Sequence, residues 1–260
     1  NTMFPYKIQT VNGVEPLYLN RYIEFISLID KDAVFQAVCP YYVHLTNYKS
    51  RLTDLLNVKY ILTTQEINEN KLKLIYNRDI RIYENMKVFP RAFVVPEAVV
   101  IKEKEEILRH LSSNDFRPDR YVILEEEPKV KHSRRLPLFE TSKVNPAPRK
   151  TTDASLWCGV NITKYLPHSV SIEADLSDAG FLVLSDSYYP GWKVYVNGKE
   201  DKIFRTNYIM RAVYLEKGYH KVDFVYDPMS FKVGKYASFL SLILVTLFLG
   251  IHLVTRSKLR

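Results

Sequence analysis

Residues Ala237 to Thr255 read ASFLSLILVTLFLGIHLVT, carry no formal charge, and run directly into Arg256, Ser257, Lys258, Leu259 and Arg260. At about 1.5 Å per residue, a helix of that length spans roughly 28 Å, close to the hydrocarbon core of a bilayer. A buried helix of a soluble domain can be equally apolar, but it does not usually end a chain against a basic tail. Residues 236–255 therefore read as a transmembrane helix. Lysine and arginine beside a span tend to stay on the cytoplasmic side. This makes 256–260 a cytoplasmic tail at the cell membrane and the bulk of the chain extracytoplasmic.

The sequence opens at Asn1 with neither an initiator methionine nor a basic-plus-apolar signal segment. An exported domain needs something upstream to carry it across. The expectation is a C-terminal piece of a longer protein, with the N-terminal transmembrane domain of the same protein missing. A tail-anchored protein is the alternative. It would keep its bulk in the cytoplasm and draw Arg256, Lys258 and Arg260 across the membrane.

Composition narrows the partners. The formal net charge is +8. That surplus suits anionic envelope polymers or lipid headgroups, and an ordinary solvated surface equally well. Nucleic acid is excluded as a partner for a domain on the outer side of a membrane. Cys39 and Cys158 are the only cysteines, without C-x-x-C spacing; one disulfide or two buried thiols both remain open. The six histidines are scattered, and no H-E-x-x-H, Walker loop, G-x-G-x-x-G or G-x-S-x-G occurs. No metal, cofactor or catalytic residue is indicated.

The periodicities predict an α+β chain with a mixed α/β subdomain over 1–127. Tyr18 to Ile29 places Leu19, Tyr22, Ile23, Ile26 and Ile29 on one helical face. A short helix is expected over Arg51–Asn57 and a strand over Val58–Thr63. A hairpin follows across Asn77-Arg78-Asp79, then a short apolar run at Arg91–Val95 and a helix over Lys102–Ser112. Glu125, Glu126 and Glu127 read as a solvated strand end. Residues 128–150 hold four prolines and seven cations against the single acid Glu140, and read as a linker. Arg134 and Arg135 lie there as candidate contacts for an anion.

From 151 to 227 the pattern changes to short strands with turns between them, which argues for a jelly-roll-like β-sandwich. Expected strands are Ala154–Ile162, Ser169–Ala174, Phe181–Ser185, Trp192–Val196, Met210–Leu215 and Lys221–Tyr226. Asn197-Gly198 is the strongest turn signal, because both central residues of a type I′ turn need positive φ. The segment Leu184 to Lys199, LSDSYYPGWKVYVNGK, is the most informative for function. Tyr188, Tyr189 and Trp192 beside a Pro-Gly corner can stack on sugar rings while Asp186 accepts hydroxyl hydrogen bonds. Equally, Trp192 and one tyrosine can fill the sandwich core.

That segment also resembles the YfhO family of bacterial multi-spanning membrane proteins. The likeness extends to Arg211-Ala212-Val213, Lys217-Gly218-Tyr219-His220-Lys221-Val222, Tyr226-Asp227-Pro228, Phe231 and Gly234. Leu55 to Leu62, Tyr83-Glu84-Asn85, Phe89 to Phe93 and Val11 to Leu17 agree with it as well. The resemblance implies a GT-C-type glycosyltransferase that uses a polyprenyl-phosphate-linked sugar to modify envelope polymers such as teichoic acids. In that architecture the catalytic acid lies in an early loop of the membrane domain, so this chain alone would be inactive. It would be the non-catalytic extracytoplasmic domain, holding the acceptor polymer or lipid-linked sugar, or a structural module bracing the membrane domain.

Overall fold

The computed structural model describes residues 8–11, 13–14, 19–31, 42–43, 45–128, 138–139 and 159–258. Arg134, Arg135, Cys39 and Cys158, and most of 128–150, lie outside them. In chain order the first elements are β1 (Gly13–Val14), α1 (Asn20–Ile29), β2 (Tyr42–Val43), α2 (Arg51–Leu55) and β3 (Tyr60–Thr63). Next come β4 (Leu72–Asn77), β5 (Arg81–Asn85), β6 (Ala92–Val95), β7 (Glu97–Val100), α3 (Lys104–Ser112), β8 (Tyr121–Leu124) and β9 (Leu138–Phe139). Then follow β10 (Val160–Leu166), β11 (Ser169–Leu176), β12 (Gly180–Ser187), β13 (Trp192–Val196) and β14 (Lys199–Asp201). β15 (Phe204–Thr206), β16 (Met210–Leu215), β17 (Gly218–Tyr226) and α4 (Met229–Lys258) complete the order.

Local chemistry accounts for several boundaries. The Ser50 hydroxyl caps α2 by accepting from the Leu52 amide. Asn57, at φ 61°, turns the chain out of that helix in the left-handed region that asparagine tolerates. Asn197 and Gly198 both have positive φ, as a two-residue hairpin between β13 and β14 requires. Helix α1 buries Phe25, Ile26 and Ile29 most deeply. Phe25, outside the expected apolar face, is thus buried with Ile26 and Ile29, while Leu19, the residue before the helix, is half-buried.

Three layers result. A five-stranded sheet, β10-β11-β17-β13-β14, faces a seven-stranded sheet, β6-β12-β16-β15-β8-β7-β9. The side chains between them, among them Val170, Ile172, Leu182, Leu184, Val213 and Phe224, form one core. Phe93, Val183, Met210 and Ala212 lie in a second core with Phe25 of α1, Leu55 of α2 and Ile107 of α3. The fold is therefore α+β: a β-sandwich backed by helices, with one long apolar helix at its C-terminal end.

The larger sheet joins strands from residues 92–100 and 121–124 to strands from 180–215. β6 pairs with β12 from Ala92↔Leu184 to Val95↔Phe181. β7 and β8 are parallel, with α3 as their crossover. A separate three-stranded sheet, β3-β5-β4, leaves Tyr60, Leu62 and Tyr76 exposed. Helix α4 is longer than its apolar stretch: it begins at Met229, seven residues before Tyr236, and is exposed along its apolar length.

Candidate functional site

Strand direction places the aromatic segment at one end of the sandwich. β12 runs from Gly180, opposite Leu215, to Ser187, opposite Met210. β17 runs from Gly218 to Tyr226 and leads through Asp227 and Pro228 into α4. Trp192 of β13 pairs with Tyr226. The turn 188–191 therefore lies at the end from which α4 departs, hereafter the root end. Gly191 is required there. Its φ is 103°, and an added Cβ would approach Pro228 Cβ at 2.8 Å.

Asp186 sits where β12 is irregular, between Leu184 and Ser187. Its carboxylate accepts from Arg91 Nε at 3.0 Å, Arg211 Nη2 at 2.7 Å and the Tyr165 hydroxyl at 3.0 Å. The Arg91 Nη2 also donates to the Tyr165 oxygen at 2.7 Å. Arg211 pairs with Leu184 in register and so shares its side of the sheet, inside the rim of the sandwich. Its side chain is only 2% exposed. Removal from water lowers its pKa, and the neighbouring Asp186 charge opposes that fall. Two of its nitrogens, Nε and Nη1, are buried without a hydrogen-bond partner. The Trp192 ring, with the guanidinium carbon 3.9 Å from its centroid, gives them a π-face instead.

Tyr188 and Tyr189, neighbours in sequence, go to different places. The Tyr188 ring lies under the Arg205 guanidinium at 4.5 Å. Arg205 reaches Glu125 at 3.1 Å, and Arg21 of α1 grips the same carboxylate through both oxygens. Arg21 also stacks over Tyr208 at 4.6 Å, and the Tyr208 hydroxyl donates to Glu24. Burial and the Glu24 and Glu125 carboxylates raise the Tyr208 pKa well above that of an ordinary tyrosine. Arg21, Tyr22, Ser187, Tyr188, Arg205 and Tyr208 line a small concavity here. Asn207 and Tyr208 both hold positive φ, 47° and 72°, in the hairpin joining β15 to β16. For a bulky tyrosine that is a strained conformation.

Tyr189 instead is 46% exposed, with its ring 6.4 Å from Tyr226. Tyr226 lies 5.4 Å from Trp192. The expected stacking set thus becomes Tyr189, Tyr226 and Trp192 in a row, with Arg211 behind Trp192. Trp192 is half-buried and packs against the inter-sheet core. Tyr226 and Glu125 were missed as site residues by sequence reasoning. The Tyr-Asp-Pro motif before α4 was a signal for the first. Nothing local marks the second, since Glu125 differs from Glu126 and Glu127 only in what the fold brings to it. No group of His, Cys, Asp and Glu side chains suited to a metal occurs among the described residues.

Residues 152–238 match the family model described as bacterial membrane protein YfhO. Over 74 residues, 28% of this chain, the sequence is 30% identical to the uncharacterized protein YfhO of Bacillus subtilis (strain 168). That stretch spans 9% of the relative's length. No solved structure matches the chain.

Proposed function

We propose, for a chain whose residues 152–238 match the YfhO family of bacterial membrane proteins, that it is the extracytoplasmic end of a glycosyltransferase. The full protein would use polyprenyl-phosphate-linked sugars to modify envelope polymers such as teichoic acids. In this reading the domain is non-catalytic and holds the acceptor polymer, and residues 256–260 are cytoplasmic. One observation carries it: the row Tyr189-Tyr226-Trp192 lies at the root of α4, where a lipid-linked sugar would have to be met. Tyr189 offers an exposed ring to a sugar face, and Arg134 and Arg135 supply cations for an anionic polymer.

Calorimetric titration of the full chain in detergent with a poly(glycerol phosphate) glycopolymer tests this. Binding should weaken as salt rises and in Arg134→Ala/Arg135→Ala, and should be lost in Tyr189→Ala. Binding that ignores both salt and Tyr189 would remove the acceptor role.

A second reading, a module that braces the membrane domain, draws support from a different fact. The Asp186 carboxylate is already engaged by Arg91, Arg211 and Tyr165, and Arg205 covers Tyr188. These groups then hold the protein's own architecture together. This reading expects no glycan heat at all, and cross-links from the sandwich to upstream spans of the full-length protein.

A further inference from the structure

Helix α4 begins at Met229, whereas its uncharged stretch begins at Tyr236, after Lys232 and Lys235. The intervening turns amount to about 10 Å of helix at 1.5 Å per residue. A bilayer's headgroup layer is about 5–7 Å thick on each side of the hydrocarbon. The root end of the sandwich is thereby held at the outer margin of that layer. It is also fastened to the helix. Asp227 binds Lys232 at 2.6 Å and lies 3.7 Å from Lys193, and its amide donates to the Gly191 carbonyl at 2.8 Å.

Two turns flank this root. The β10–β11 turn is tied to it by the Tyr226 amide, which donates to the His168 carbonyl at 2.8 Å. Its residues Pro167 and His168, and Lys164, Tyr165 and Leu166 at the end of β10, are all exposed. The second turn exposes Tyr189 and Pro190. The opposite end of the sandwich has another character. Its turns expose Ser177 and Asp178, Asn197 and Gly198, and Glu216 and Lys217; Tyr219 is the exposed ring there. Leucine, proline and tyrosine at the tips nearest a membrane helix, with lysines behind them, match the chemistry of the bilayer–water interface.

We propose that the tip of the β10–β11 hairpin, residues 164–168, and turn 188–191 seat in the phospholipid headgroup layer around α4. Leu166 and Tyr189 are the apolar anchors, and Lys164 and Lys235 draw anionic headgroups. This fixes the sandwich against the membrane surface rather than leaving it on a free stalk. The inference rests on α4 crossing the membrane and is independent of any glycan.

The test uses the full chain in phosphatidylcholine nanodiscs carrying a nitroxide on the headgroup. Leu166→Trp, Tyr189→Trp and Lys217→Trp are each compared with the parent chain, with circular dichroism to confirm the fold. Added fluorescence at 166 and 189 should be quenched several-fold more than at 217. Including phosphatidylglycerol should increase that quenching in the reporter chains, and Lys164→Ala/Lys235→Ala should abolish the increase. Equal quenching at 166, 189 and 217, or indifference to phosphatidylglycerol, would overturn the proposal. Neither result touches glycan binding, which is read in detergent.

Discussion

Asp186 and Glu125 each gather two arginines, yet the two clusters are solvated differently. At Asp186 the carboxylate is 11% exposed and the Arg211 side chain 2%. At Glu125 the carboxylate is 21% exposed and its partners Arg21 and Arg205 are 37% and 29%. The first cluster neutralises a cation that β16 has carried inside the sandwich. The second fastens α1 to the sheet beside the strained hairpin of Asn207 and Tyr208. Similar groups thus do different work: one makes a buried charge tolerable, the other positions a helix at the surface.

The largest expected effect follows from burial. Asp186→Ala leaves Arg211 charged and without its counter-ion inside the rim, and should destabilise the fold by about 3–5 kcal/mol. Denaturant unfolding of the full chain in detergent, followed by near-ultraviolet circular dichroism, would show it. Replacing both partners, Asp186→Asn with Arg211→Met, should regain much of the loss, because no buried charge is then stranded. A double variant no better than Asp186→Ala would mean that the ion pair itself, not relief of Arg211, holds the rim.

Glu125→Gln should cost only about 0–1 kcal/mol by the same assay, since water screens both of its arginine partners. A loss as large as that of Asp186→Ala would erase the distinction between the clusters.

The smallest effect is a pH dependence that sharpens it. Tyr208 has a raised pKa, from burial first and then from Glu24; Tyr165 is raised by burial and by Asp186. Above about pH 10 an unfolded tyrosine loses its proton. The folded form keeps both protons, so it binds more of them than the unfolded chain. Stability is present below about pH 10 and falls as pH rises beyond it. Tyr208→Phe should flatten this alkaline decline more than Tyr165→Phe does, and should remove the latest-ionising phenol from the ultraviolet titration. An unchanged alkaline slope in Tyr208→Phe would contradict the Glu24 contact.

Much of the fold was legible because short-range patterns dominate it. Met210–Leu215 and Trp192–Val196 form the strands their alternation predicts, and Asn197-Gly198 makes the expected turn. β7 and β8 escaped notice. Their four-residue runs, EAVV and YVIL, are buried on both faces in parallel pairing and show little alternation. The candidate site was legible as a segment but not as a geometry. Asp186 reads as a sugar-binding acid until Arg91 and Arg211, distant in sequence, are brought to it. Likewise, Tyr188 meets Arg205 while its sequence neighbour Tyr189 faces Tyr226.

The sequence by itself determined the apolar helix, the turn residues and the β-rich character of residues 160–226. Each depends on local composition: uncharged length, positive-φ residues and period-two alternation. Only the tertiary structure decided which carboxylate meets which arginine, and that β6 completes a sheet with β12. It also decided that the aromatic row stands at the root of α4. Those outcomes depend on strand register and on contacts between residues far apart in sequence, as with Arg21 and Glu125, 104 positions apart. A pairwise energy of that kind leaves no mark on local sequence until the backbone has closed around it.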